Sequence, residues 1–164
     1  MKHTEALWSG IIAGAVTTLL MALARLAGIP VDVEMALGSL PFSRTGPVIW
    51  VFGVLLFLLG CGMVGQLYAA GFELVSRRSG WRVGALMSVA HMALSGVLLG
   101  ALSAVHPLIP AKIAAPGAFM ASLGVGGIAV FLVTHVVFGA LMGSLYVPRA
   151  EELEEELDAW VGEP

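Results

Sequence analysis

The sequence has 164 residues, of which 59% are hydrophobic and only 12% are charged. A soluble domain carries about 25% charged residues, so this composition argues against a water-exposed globule. The net charge is -3 and the basic residues form no stripe, which argues against nucleic acid as a partner. The composition instead favours an integral membrane protein whose main partner is the lipid bilayer.

Four apolar stretches follow one another along the chain, and they hold almost no charge. A helix needs roughly 20 apolar residues to cross the hydrocarbon core of a bilayer. The predicted spans cover about residues 6–28, 47–72, 83–105 and 124–147. None alternates polar and apolar residues as a membrane β-strand would. The sequence therefore predicts an all-α, four-helix integral membrane domain over residues 1–147.

The C-terminal tail, residues 148–164, differs sharply from the rest. Seven of the eleven acidic residues of the chain lie in it. Leu153, Leu157 and Trp160 have helical spacing, which predicts a short acidic amphipathic helix. Such a helix either packs on the membrane domain with its charges in water or docks a protein partner.

Arginine placement predicts the orientation. Arg77, Arg78 and Arg82 lie between the second and third spans, so this loop and both termini are expected in the cytoplasm, with the protein in the bacterial inner membrane. Arg25 ends the first span and is expected to reach the outer surface. A less favoured alternative treats residues 1–24 as a cleaved signal peptide, but Glu5 lies in its supposedly positive start.

The two halves of the chain resemble each other, which predicts two helical hairpins related as a parallel repeat. The segment Gly14–Met21 aligns with Gly84–His91. In the closing helices, Gly53, Phe57, Leu58 and Gly65 align with Gly127, Phe131, Leu132 and Gly139. Under this alignment Cys61 pairs with His135, and Met21 pairs with His91.

Those four residues are the candidate site. His91 and His135 fall near the middle of their spans, and each lies on a face of small or polar residues that should turn toward the bundle interior. Imidazole, thiolate and thioether groups are ligands of soft and borderline metals. His91 and His135 are therefore candidate haem or metal ligands, with Cys61 and Met21 as weaker metal candidates.

Three interpretations of the cluster stay open at this point. The histidines could form neutral hydrogen bonds to Ser88, Ser95, Thr134 or backbone carbonyls and fix the packing. They could instead bind haem b between two helices, or copper together with Cys61 and Met21. The third interpretation is transport or proton relay by a homo-oligomer.

The run Gly10–Gly14, the segment Gly28–Gly38 and His135 with Gly139 and Tyr146 resemble a bacterial family of small four-helix membrane proteins, a domain of unknown function. The resemblance covers roughly residues 9–147 and implies the fold and the location, but no activity. That family tends to carry a histidine in the second helix, where this chain has Cys61. With no nucleophile–base pair in the helices, we expect a non-catalytic membrane subunit or accessory protein, with the oligomeric transporter as the alternative.

Overall fold

The computed structural model describes the backbone of residues 1–161 and the side chains of these residues except Glu155, Asp158, Ala159 and Val161. The described chain is helical and contains no strand. Its α-helices are α1 (His3–Leu26), α2 (Val33–Ser39), α3 (Pro47–Gly71), α4 (Trp81–Val105), α5 (Gly124–Leu145) and α6 (Arg149–Val161). A π-helical turn, Phe72–Ser76, extends α3, and a 3-10 segment, Ala118–Leu123, precedes α5. The last three residues of the predicted tail, 162–164, lie outside the described chain.

Four helices are long and apolar enough to cross a membrane, namely α1, α3 with its π-helical turn, α4, and α5 with its neighbouring segments. In a bilayer each backbone N–H and C=O must be paired within the protein, and a helix achieves this within one segment. The expected four apolar helices are therefore present. Lys2 bonds to Glu152, so both ends of the described chain lie on one face of the bundle. This face is called the terminal face below, and the opposite one is called the distal face.

The closest helix crossings use glycine. A Cβ atom added at Gly84 would overlap the backbone oxygen of Gly139, and one added at Gly139 would overlap the oxygen of Gly84. The crossing of α1 and α3 is similar, because a Cβ atom at Gly65 would lie 3.1 Å from the Cα of Gly10. Small residues at such crossings allow the backbone contact that drives helix association in lipid.

The two crossings differ in register. The sequence alignment places Gly14 with Gly84 and Gly65 with Gly139. Gly84 and Gly139 do face each other, but Gly65 faces Gly10, and Gly14 packs on Cys61. The internal duplication therefore stays a prediction from the sequence.

The bundle is also open on one side. Contacts are extensive between α1 and α5, whereas α3 and α4 touch at only a few points. A twofold axis along the membrane normal would make these two interfaces equivalent. The gap between α3 and α4 is thus a departure from symmetry, and it gives the bundle interior a side opening.

The distal face is covered by α2 and the 3-10 segment. The side chain of Asp32 caps α2 by accepting a hydrogen bond of 3.1 Å from the backbone N–H of Met35. Arg25, at the end of α1, donates to the Val31 carbonyl at 2.9 Å and to Glu34 at 3.0 Å. Arg25 thus ties α2 to the bundle.

The terminal face is closed by a polar network. Tyr146 donates to the Glu73 carboxylate at 2.7 Å and accepts from the backbone N–H of Lys2 at 3.2 Å. The Lys2 ammonium bonds to Glu152, and this bond raises the pKa of Lys2. Glu151 accepts from the backbone N–H and the hydroxyl of Ser79, each at 2.8 Å. The first turn of α6 is therefore anchored to the membrane domain.

Candidate functional site

The bundle interior contains a cavity of about 420 Å³. All four long helices line it, and α2 and Met120 of the 3-10 segment close its distal end. Most of its wall is apolar. Its polar lining residues are Thr17, Cys61, His91, Ser95, Thr134 and His135. Cavities of this size with few polar groups are typical of small-molecule sites.

The cavity opens between α3 and α4, the two long helices that barely touch. Leu94 and Leu98 of α4 line the cavity and are each 58% exposed. On α3 the matching wall includes Gly60, where an added Cβ atom would meet no atom within 4 Å. In a membrane this opening faces lipid chains and not water.

The four residues singled out from the sequence all line this cavity. Met21 and Cys61 are buried, at 2% and 8% exposure, and His91 and His135 are partly buried. Cys61 packs so closely on α1 that a Cβ atom at Gly14 would lie 2.8 Å from its Sγ. The structure thus brings the predicted residues to one place, on four different helices.

His135 has both ring nitrogens in short hydrogen bonds. Its Nδ1 lies 2.7 Å from the carbonyl oxygen of Phe131, one turn earlier in α5. Because a carbonyl can only accept, Nδ1 must carry the proton. Its Nε2 lies 2.7 Å from the Ser95 hydroxyl of α4. The same hydroxyl lies 2.6 Å from the His91 carbonyl oxygen, so its single proton is shared between that oxygen and the His135 Nε2, and Ser95 links α4 to α5.

His91 is bound more loosely. Its Nδ1 lies 3.4 Å from the Tyr68 hydroxyl of α3, which is a long hydrogen bond. Its Nε2 has no hydrogen-bond partner among the residues that the structure describes. His91 therefore offers the cavity one free polar atom.

Two other expected partners bond elsewhere. Ser88 donates to the Ala85 carbonyl at 2.6 Å, and Thr134 donates to the Val130 carbonyl at 2.8 Å. Both hydroxyls are therefore satisfied within their own helices. Among the three hydroxyl side chains expected from the sequence, Ser95 is the one that contacts a histidine ring.

Aromatic rings surround the two histidines. The His91 and His135 ring centroids are 4.7 Å apart, and Phe131 lies 4.1 Å from His135. His91 also lies 5.4 Å from Phe138 and 5.8 Å from Tyr68, in edge-on contacts. Of these rings, Phe138 and the two histidines line the cavity. The five rings come from α3, α4 and α5, and no spacing within one helix shows that they meet.

The histidine pair does not fit haem held between the two rings. With iron–nitrogen bonds of about 2 Å, the centroids of two trans imidazoles lie roughly 6 Å apart, well beyond the observed 4.7 Å. The His135 Nε2 is in addition occupied by Ser95. The expected bis-histidine haem b therefore has no support in this geometry.

A metal centre built on these residues has no better support. Within residues 1–161, no three histidine, cysteine or acidic side chains come close enough to hold a metal ion. Cys61 and Met21 share the cavity with the histidines, but they add no such group. We therefore base the function on the cavity itself.

No protein-family model, curated protein or solved structure matches this chain. The function proposed below therefore rests on the chemistry of the cavity and the architecture around it.

Proposed function

We propose that this protein is a non-catalytic accessory protein of the bacterial inner membrane that holds an apolar, membrane-dissolved ligand in its interior cavity. The observation that carries the proposal is the cavity of about 420 Å³ that opens between α3 and α4. In a closed bundle the side chains that line the cavity would pack against each other. Here α3 and α4 stay apart and leave room for a molecule.

The ligand should enter from the bilayer because the two ends of the bundle are closed. At the terminal face, Phe72 and Tyr146 are fully buried and stack with centroids 6.1 Å apart. At the distal face, Val31 and Met120 are buried at 1% and 3% exposure. This closure at both ends favours holding a ligand over passing it across the membrane, which was the transporter alternative.

The proposal includes the orientation inferred from the sequence, with both termini in the cytoplasm. The terminal face carries Arg77, Arg78 and Arg82 in one short connection, and positive residues are retained on the cytoplasmic side of inner-membrane proteins. Trp81 begins α4 beside them and is 58% exposed, which suits the membrane–water boundary.

The proposal is tested by asking what the protein carries out of the membrane. The protein is purified in a mild detergent, and the bound molecules are counted by native mass spectrometry. The informative variant is Gly60→Leu, because the new side chain enters open space in the cavity wall. The matched control is Leu59→Phe, which enlarges a neighbouring side chain that is 58% exposed to lipid.

We expect the wild-type protein and Leu59→Phe to retain the same apolar molecule, and Gly60→Leu to lose it. Equal retention by all three proteins would place any bound molecule outside the cavity. A wild-type protein that retains no apolar molecule and takes none up from added native lipid extract would overturn the proposal.

A further inference from the structure

The polar groups of the cavity can be sorted into those that are already paired and those that are free. Thr17 and Thr134 donate to carbonyls of their own helices, at 2.9 Å and 2.8 Å. The Ser95 hydroxyl lies 2.6 Å from the His91 carbonyl oxygen and 2.7 Å from the His135 Nε2, so it is paired and it also covers that nitrogen. After this accounting the Nε2 of His91 is the one imidazole nitrogen of the cavity that has no protein partner among the described residues.

The tautomer of His91 follows from its neighbour. The Tyr68 hydroxyl is buried, and the Nδ1 of His91 is its hydrogen-bond partner within the described chain. A buried hydroxyl proton needs an acceptor, so Tyr68 donates and Nδ1 accepts. In a neutral imidazole the proton then sits on Nε2. His91 therefore presents an N–H donor to the cavity.

The surface beside this donor is aromatic. His91 is in edge-on contact with Phe138 and His135, which also line the cavity, and with Tyr68 behind them, at centroid distances of 4.7 to 5.8 Å. Aromatic side chains prefer edge-to-face or offset contacts with other planar rings. A ligand with a flat conjugated ring would meet this preference, whereas a saturated acyl chain would not use it.

We propose that the ligand is a quinone, whose ring carbonyl accepts a hydrogen bond from the Nε2 of His91 and whose hydrocarbon tail leaves between α3 and α4. This inference rests on the proposed function, since it names the ligand of the same cavity. A quinone combines the required features, namely a planar ring, carbonyl acceptors and a tail that is soluble in the bilayer. Leu94 and Leu98 at the mouth then contact the tail.

The oxidation state matters for this recognition. A quinone carbonyl only accepts hydrogen bonds, which matches the free N–H of His91. The reduced form carries hydroxyl groups, whose protons would need acceptors, and the Nε2 of His135 is already covered by the Ser95 hydroxyl at 2.7 Å. The cavity should therefore bind the quinone more tightly than the quinol.

The test uses the full-length protein in lipid nanodiscs with tritiated decylubiquinone as the probe, measured by scintillation proximity. His91→Phe keeps an aromatic ring but removes the donor, and we expect a roughly tenfold higher dissociation constant, the equivalent of one hydrogen bond. His91→Gln restores an N–H donor and should recover part of the affinity. His3→Phe is the matched control, because His3 is exposed on the terminal face.

A second comparison needs only the wild-type protein. The competitor is a dimethoxybenzene that carries the same decyl tail but has no carbonyl group. We expect it, and the reduced quinol, to displace the probe poorly. Equal displacement by the dimethoxybenzene, or unchanged binding by His91→Phe, would overturn the assignment of a quinone.

The two proposals can fail separately. If the wild-type protein retains an apolar molecule that Gly60→Leu loses, but decylubiquinone neither binds nor displaces it, the cavity has another ligand and only the quinone assignment fails. If no apolar molecule is retained and the probe does not bind, both proposals fail.

Discussion

Arg25 at the end of α1 and Glu34 in α2 form an ion pair of 3.0 Å in which the Glu34 side chain is completely buried. The second carboxylate oxygen of Glu34 has no hydrogen-bond partner among the described residues. The pair joins α2 to the bundle above the cavity, where Val33 and Leu37 of α2 form part of the lining. The distal closure of the cavity thus depends on one partly satisfied buried charge.

Replacing Arg25 should destabilise the protein more than replacing both partners. Arg25→Met leaves the Glu34 carboxylate buried without its counter-ion, and we expect a loss of about 3 kcal/mol at neutral pH. The double variant Arg25→Met with Glu34→Gln removes the buried charge as well and should recover much of that loss. Thermal unfolding in detergent, followed by circular dichroism, measures both. A double variant less stable than Arg25→Met would contradict this account.

The stability of Arg25→Met should depend on pH more strongly than that of the wild-type protein. Burial raises the pKa of Glu34 above its ordinary value of 4.5, while Arg25 opposes the rise. The folded protein therefore takes up this proton before the unfolded chain does, and its relative stability increases as the pH falls from the raised pKa toward 4.5. Arg25→Met should show a larger gain over this window than wild type, because Arg25 no longer opposes the rise. Melting temperatures of both proteins, measured across this pH range, test the prediction. Parallel pH profiles for the two proteins would refute it.

The crossing of α4 and α5 should not tolerate a methyl group. Gly84→Ala places a Cβ atom against the Gly139 backbone, so the helices must separate, at a cost of about 1–3 kcal/mol. Gly60→Ala is the control, because its new Cβ atom meets no atom within 4 Å and alanine favours the helix by about 0.5–1 kcal/mol. Denaturation midpoints compare the two. Similar midpoints would mean that the close crossing does not limit stability.

His106 should hold α2 against the segment that follows α4. Its Nε2 donates to the Ala36 carbonyl at 3.0 Å, and its Nδ1 accepts from the Leu108 N–H at 3.1 Å. His106→Phe leaves both groups unpaired, and we expect a loss of about 2 kcal/mol and faster hydrogen exchange in α2. His3→Phe should change neither quantity. Unaltered exchange in α2 of the His106 variant would show that other contacts suffice.

The orientation can be tested with single cysteines. In a Cys61→Ala background, Thr45→Cys lies in the exposed connection between α2 and α3, and His3→Cys lies on the opposite face. We expect a membrane-impermeant maleimide to label Thr45→Cys in intact spheroplasts, and His3→Cys only after lysis. The reverse pattern would invert the proposed topology.

The helices could be predicted because they follow from local chemistry. An uncharged apolar run of more than 20 residues must be helical in lipid, and the predicted spans agree with the four long helices except near their ends. The larger differences arise where the helix continues beyond the apolar part. The chain remains helical to Ser76 through a π-helical turn that contains Glu73, and α1 begins already at His3.

The cavity could be predicted only in part. Small and polar faces indicated that His91, His135, Cys61 and Met21 face the interior, and all four line the cavity. The gap between α3 and α4 was not predictable, because it depends on which helices become neighbours. The free Nε2 of His91 depends on Tyr68 of another helix, and a pattern within one helix carries no such information.

Because the cavity opens to the side, its occupancy is governed by the concentration of ligand in the bilayer. A site that faces lipid chains equilibrates with the fraction of ligand molecules dissolved in the bilayer, and the tiny amount free in water hardly enters the equilibrium. A molecule that is scarce in water but soluble in the bilayer can then fill a site of modest affinity. Occupancy of the cavity would therefore follow the composition of the membrane.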